Sequence, residues 1–215
     1  MVQTALKFNM EEDFSEDSFL VSKSNKDAIA WIKKWPEWPA HCLIIYGEKS
    51  SGKTHLSHIW KSLSEADFIY NNEFSVNDLS SDKNYILENY EEFDQKNLFH
   101  LYNTVKENGK FLLLTSRYSV EASNIKLPDL LSRLYATPSI EIKNPDDDLI
   151  RTILLKQFSD RQIRIDSKVL DYLIPRLERS FSSLNDFVQN VDSSSMSQKR
   201  EITIPFIRSV LLESG

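Results

Sequence analysis

Glycine is scarce here, with 4 in 215 residues. That excludes collagen-like and glycine-rich linker architectures, and it makes any local pairing of glycines informative. Cysteine is scarcer still. The single Cys42 cannot close an internal disulfide, so a disulfide-stapled scaffold is excluded. No apolar run approaches the ~20 residues that cross a bilayer. The N-terminus lacks the basic-then-apolar order of a signal peptide. Basic runs stop at two residues, as at Lys33–Lys34 and Lys199–Arg200, and the net charge is −6 with a pI near 5.3. Such a field repels nucleic acid unless a local patch overrides it. We therefore expect a soluble cytoplasmic protein, with no membrane contact and no sequence-specific DNA binding of its own.

Hydrophobic residues make up 40% of the chain, enough for a sizeable core. Residues 1–18 read as an acidic lead-in. Ala28, Trp31, Ile32 and Trp35 follow helical spacing, with Ser24 or Asn25 as N-cap, until the Pro36 and Pro39 region stops the helix. Cys42–Tyr46, Phe68–Tyr70, Tyr85–Leu87, Phe111–Leu114 and Ser139–Ile142 are short apolar runs expected to be strands. Leu98, Leu101, Tyr102 and Val105 mark a helix between two of them. Strands alternating with helices predict an α/β core with a parallel sheet covered on both faces. After Asn144–Pro145 only helical periodicity remains, in groups around Ile150, Val169, Leu184 and Phe206. Pro175 is expected to kink the second of these helices, and Ser193–Ser195 to form a short loop. The expected division is 1–18, a core over 19–144, and an all-helical domain over 145–215.

Two of the four glycines fall in Gly47-Glu48-Lys49-Ser50-Ser51-Gly52-Lys53-Thr54, which fits G-x-x-x-x-G-K-[ST] between a predicted strand and a predicted helix. Glycines let the backbone wrap phosphate oxygens, and the helix N-terminus then faces the anion. Lys53 is expected to reach the β- and γ-phosphates, and Thr54 to ligate Mg²⁺. ATP or ADP is the expected cofactor. His55 and His58 lack a third metal ligand nearby and read as a polar helix face. The four tryptophans read as packing residues, and Asp146–Asp148 as an acidic helix N-terminus favoured by the macrodipole.

Around the loop a set of short motifs recurs in order: Gly52-Lys53-Thr54-His55-Leu56, Leu98 to Asn103, Leu114-Thr115-Ser116, Leu127 to Leu134, and Ile202 to Phe206. In this the chain resembles the DnaA-related AAA+ family, and most of all its short Hda-like members. The resemblance covers nearly the whole chain. It implies an AAA+ P-loop NTPase core followed by a helical lid. Phe19 to Val21 and Asn25 would lie near the adenine, and His55 would belong to the nucleotide-binding stretch. Glu88 would end the Walker B strand and hold Mg²⁺ through water, where most of the family has Asp. Asn89 stands where many AAA+ ATPases carry a catalytic Glu, so hydrolysis is expected to be weak. Thr115 and Ser116 fall at sensor 1. Ser182 stands at sensor 2, where the family usually has an Arg. Arg179, three residues earlier, is a weak substitute for it. Arg133 falls at the arginine-finger position.

The resemblance further implies that Gln3, Leu6 and Phe8 form a clamp-binding peptide, extended in an apolar groove with a polar subsite. The implied partners are DnaA and the polymerase sliding clamp, with self-association also open. The implied function is negative regulation of replication initiation, by promoting ATP hydrolysis on DnaA. Three alternatives stay open: a helicase-loader-like ATPase, a small-molecule kinase, and a clamp-bound scaffold without finger activity.

Overall fold

The computed structural model of the protein describes residues 13–70, 79–198 and 201–213. Five strands form one parallel sheet: β1 (Cys42–Gly47), β2 (Asp67–Ile69), β3 (Tyr85–Leu87), β4 (Leu112–Ser116) and β5 (Ser139–Ile142), in the order β2-β3-β4-β1-β5. The core helices are α1 (Lys26–Lys33), α2 (Lys53–Ser64), α3 (Gln95–Glu107) and α4 (Pro128–Tyr135). β1 lies between β4 and β5, with Cys42 opposite Leu112 on one side and Ile44 opposite Ser139 on the other.

Alternation along the strands assigns the helices to their faces. Cys42, Ile44, Leu112 and Leu114 point to one side, where α3 packs Leu98, Leu101 and Val105 and α4 packs Leu130 and Leu134. Leu43, Ile45, Ile86 and Leu113 point to the other side, against Ala28 and Ile32 of α1 and Leu56, Ile59 and Trp60 of α2. Because both faces are covered, the inner strands β1, β3 and β4 are almost wholly buried, whereas the edge strand β5 alternates exposed Ser139 and Glu141 with Ile140 and Ile142. Trp60 is fully buried and stacks on Trp38 at 5.2 Å between centroids.

α5 (Asp147–Asp160), α6 (Ser167–Leu173), α7 (Phe181–Gln198) and α8 (Ile204–Glu213) build a separate apolar cluster around Phe158, Leu173, Val188 and Phe206. Asp146 caps α5, its Oδ1 accepting from the Leu149 N–H at 2.9 Å. Two sequence expectations fail here. Pro175 does not kink a helix: α6 stops at Leu173, and Pro175 lies in a 3₁₀ turn, Ile174–Arg176. Proline's missing N–H and its clash with the preceding turn end the helix. Ser193–Ser195 is no loop but part of α7. Val191 anchors this turn in the lid core at 0% exposure, and Ser195 Oγ donates to the Asp192 carbonyl at 2.9 Å, so its hydroxyl is satisfied within the helix.

Candidate nucleotide-binding site

β1 ends at Gly47 and α2 begins at Lys53, so the glycine-rich turn lies at the carboxyl end of β1, where open α/β sheets take their ligands. Both glycines are required by geometry. A Cβ on Gly47 would stand 2.7 Å from the Ile142 carbonyl oxygen of β5. Gly52 has φ +94°, and a Cβ there would meet the Phe19 ring at 3.2 Å. Phe19 thus covers the end of the loop. Lys53 is 8% exposed, and its Nζ donates to the carbonyls of Gly47 and Glu48, each at 2.7 Å. Burial lowers its pKa. Glu91 pulls the other way, Arg117 adds to the lowering, and Glu88 and Glu48 oppose it. Ser51 is buried, with no hydrogen-bond partner for its Oγ. Thr54 opens the helix beside it and is exposed.

Glu88 follows β3 directly, and its Oε1 is buried without a hydrogen-bond partner. Asn89 turns the chain in the left-handed region, φ 50° and ψ 52°, and its N–H donates to Thr115 Oγ1 at 3.3 Å. The 3₁₀ turn Tyr90–Glu92 then returns Glu91 to the site. Glu91 Oε1 accepts from the Arg117 N–H at 2.8 Å, and Oε2 is buried and unpartnered. Thr115 and Ser116 end β4 and are buried; Ser116 Oγ accepts from the Tyr118 N–H at 2.9 Å. Carboxylate oxygens without partners, on glutamates close enough to act on Lys53, suit Mg²⁺, a hard cation that takes oxygen ligands and retains water. Thr54 would bind it directly and Glu88 through water, and bound Mg²⁺ would neutralise phosphate charge.

The lid meets this end of the sheet through the start of α7. A cleft of about 340 Å³ lies between Glu48, Lys49, Arg117 and Tyr118 on the core and Glu178, Ser180, Ser182 and Ser183 on the lid. Ser182 therefore faces the loop region, but the helix cap is Ser180, whose Oγ accepts from the Ser183 N–H at 3.1 Å. Arg179 pairs with Asp147 at 2.9 Å and does not line the cleft. A second cleft of about 550 Å³ runs past Tyr46, Gly47 and Arg117 toward Glu141 and Asn144.

The described N-terminal flank begins at Asp13. Asn25 is buried and braces the chain, accepting from the Ser22 N–H and donating to the Leu20 carbonyl, both at 2.8 Å. Val21 stands 61% exposed. His55 turns to the N-terminal flank, with Nε2 2.7 Å from the Ser15 carbonyl and its ring edge-on to Phe19. Among the described residues no group of three or more metal-ligating side chains occurs, and no helix is long and apolar enough to cross a membrane. Gln3, Leu6 and Phe8 lie outside the described residues.

Residues 146–211 match the family model described as "Hda, lid domain". The fold matches domain III of the Thermotoga maritima replication initiation protein DnaA with a TM-score of 0.77 and 17% identity, covering 96% of this chain and 98% of that one. Residues 146–211 thus resemble an Hda lid, and the chain as a whole has the fold of DnaA domain III. An uncharacterized Haemophilus influenzae protein is 28% identical over 188 residues, 78% of this chain and 80% of that one. AMPPCP-bound DnaA from Aquifex aeolicus has a TM-score of 0.65 and 18% identity over 83% of this chain and 64% of that one.

Arg133 sits apart from the phosphate loop. It occupies the last turn of α4, and its guanidinium lies over the Phe99 ring of α3, 5.0 Å from the centroid, and 5.9 Å from that of Tyr102. Tyr102 in turn meets His41, which immediately precedes β1, edge-on at 4.5 Å. This cluster therefore belongs to the amino end of β1, whereas Lys53 belongs to its carboxyl end. α4 is held by Pro128 in its first turn and by Gln95, whose Oε1 accepts the N–H groups of Lys126 and Leu127 at 2.9 and 3.0 Å. Two residues of the phosphate end escaped sequence reading. Glu91 was hidden behind Asn89, although a second carboxylate three residues past Glu88 was a usable signal. Arg117 was hidden because nothing in its spacing marks an exposed arginine as facing a cleft.

Proposed function

We propose that this protein is a nucleotide-bound regulator of replication initiation, held to the sliding clamp by Gln3, Leu6 and Phe8, that presents Arg133 to ATP-bound DnaA and promotes its hydrolysis. The observation that carries the reading is the separation of two functions onto opposite ends of one sheet. Lys53 and the loop are built for phosphate at the carboxyl end, while Arg133 at the amino end cannot serve the same nucleotide. An arginine so placed suits action in a neighbour's site, where a planar guanidinium stabilises charge on the transferring phosphoryl group. ATP or ADP with Mg²⁺ then acts mainly as a structural ligand between core and lid. Asn89 offers a carboxamide where a base is needed, and Ser182 brings no charge.

The test mixes DnaA loaded with radiolabelled ATP, clamp on DNA, and either wild type or Arg133→Ala. Wild type should accelerate ADP formation by roughly 10³–10⁵, the range of arginine fingers, and the variant should not. Equal acceleration by both would remove the finger and favour the scaffold reading. Gln3→Ala with Phe8→Ala should abolish clamp binding; undiminished clamp binding by that double variant would remove the tether.

A further inference from the structure

The lid cannot supply the positive charge that a triphosphate invites at this cleft. Its lining residues there are Glu178, Ser180, Ser182 and Ser183, none of them cationic, and the adjacent Arg179 does not line the cleft. The core offers a cation instead. Arg117 directly follows Thr115 and Ser116 at the tip of β4, the strand beside β1. It lines both clefts, and it is the one arginine among their lining residues.

Its backbone is fixed while its side chain is not. Glu91 Oε1 accepts the Arg117 N–H at 2.8 Å, which anchors the turn to the same 3₁₀ segment that follows Glu88. The guanidinium rests only loosely on Glu92, Nη2 to Oε1 3.6 Å, with the two side chains 43% and 63% exposed. Such an exposed pair contributes little and is readily exchanged for a stronger anion. The charge already acts on the phosphate lysine, since Arg117 is among the groups that lower the Lys53 pKa. A guanidinium can bind a phosphate through two parallel N–H···O bonds, which a serine cannot.

We propose that Arg117 contacts the γ-phosphate of bound ATP from the core and takes the place of the positive charge absent from the lid at Ser182. The proposal rests on the nucleotide reading of the loop. It makes Arg117 the residue through which this protein distinguishes ATP from ADP. Glu91 is then a positioning residue that holds the β4 turn, and Glu92 a resting partner that releases the guanidinium when phosphate arrives.

Calorimetric affinities for ATP and ADP with Mg²⁺, measured on wild type, Lys53→Ala, Arg117→Ala and Arg117→Ala with Ser182→Arg, test it without reference to hydrolysis. Arg117→Ala should lower the ratio of ATP to ADP affinity by roughly 10- to 100-fold, the loss of one or two charge-assisted bonds, whichever nucleotide the wild type prefers. Lys53→Ala should weaken both nucleotides. Adding Ser182→Arg should return most of the ratio by restoring a cation from the lid side. A ratio unchanged within about twofold in Arg117→Ala, or a double variant that recovers nothing, would overturn the assignment while leaving the loop reading intact. Failure of wild type to bind either nucleotide would remove the loop reading and this assignment together.

Discussion

The two ends of the parallel sheet differ in how their charges are satisfied. At the carboxyl end, Lys53 is pinned to the loop's own carbonyls, and Glu88, Glu91 and Ser51 each bury an oxygen with no hydrogen-bond partner. At the amino end, Arg133 spreads over aromatic rings and His41 is pressed against Tyr102. An end with unpaired buried oxygens beside a desolvated lysine is arranged for something to arrive, because such groups are costly unless a ligand or ion completes them. A guanidinium lying on aromatic faces is held in a defined direction while keeping its planar N–H fork available. On the proposed reading, the first end receives a ligand and the second presents a side chain.

If that division holds, it can be broken from either side. The largest expected effect is Arg133→Ala, which should remove stimulation of DnaA hydrolysis while leaving ATP and ADP affinities of the chain itself unchanged. Arg133→Lys should restore little, since an ammonium lacks the fork. The converse variant, Lys53→Ala, should weaken nucleotide binding by roughly 1.5–3 kcal/mol, the value of one charge-assisted contact. Any stimulation it retains would show how far nucleotide occupancy matters for presentation of Arg133. Chelating Mg²⁺ should weaken ATP more than ADP, because Glu48, Glu88 and Glu91 would then face an unneutralised triphosphate; calorimetry with and without chelator measures it.

Intrinsic turnover should fall well below the roughly 10 s⁻¹ typical of enzymes, given Asn89 and Ser182. A rate at or above that median from the isolated protein would restore the autonomous-ATPase alternative. The smallest expected effect concerns the amino end. Burial, aided by the charges of Lys106 and Arg133, lowers the His41 pKa from 6.5 to about 4. At pH 7 the imidazole is neutral in folded and unfolded chains alike. Between pH 6.5 and about 4 only the unfolded chain takes up the proton. Folding stability should therefore fall with falling pH across that window, by at most about 1.4 kcal/mol per unit. Denaturant titrations at several pH values should show a flatter profile for His41→Asn. An unchanged slope would place the acid sensitivity elsewhere.

Local pattern made the core legible. The run Cys42–Tyr46 followed by a glycine-lysine turn could only be a buried strand feeding a helix, and Tyr85–Leu87 and Ser139–Ile142 appear as strands at those limits. The lid was harder. Serine's weak helix preference suggested a break at Ser193–Ser195, but the burial of Val191 and serine bonds back to the helix's own carbonyls carried α7 through it. The cap of α7 was likewise a matter of where the chain enters the helix, and that point is Ser180.

What the sequence by itself determined is the phosphate loop, the parallel sheet and the helical lid, because glycine-lysine spacing and apolar periodicity are properties of contiguous residues. Only the tertiary structure decided which charges share a site. Glu91 joins Lys53 through a 3₁₀ turn, and Arg117 joins it through a neighbouring strand. Arg133 is carried to the opposite end because α4 runs back to the start of β5. Electrostatic partnership depends on distance in space, and strand order, which sets those distances here, comes from packing both faces of the sheet at once.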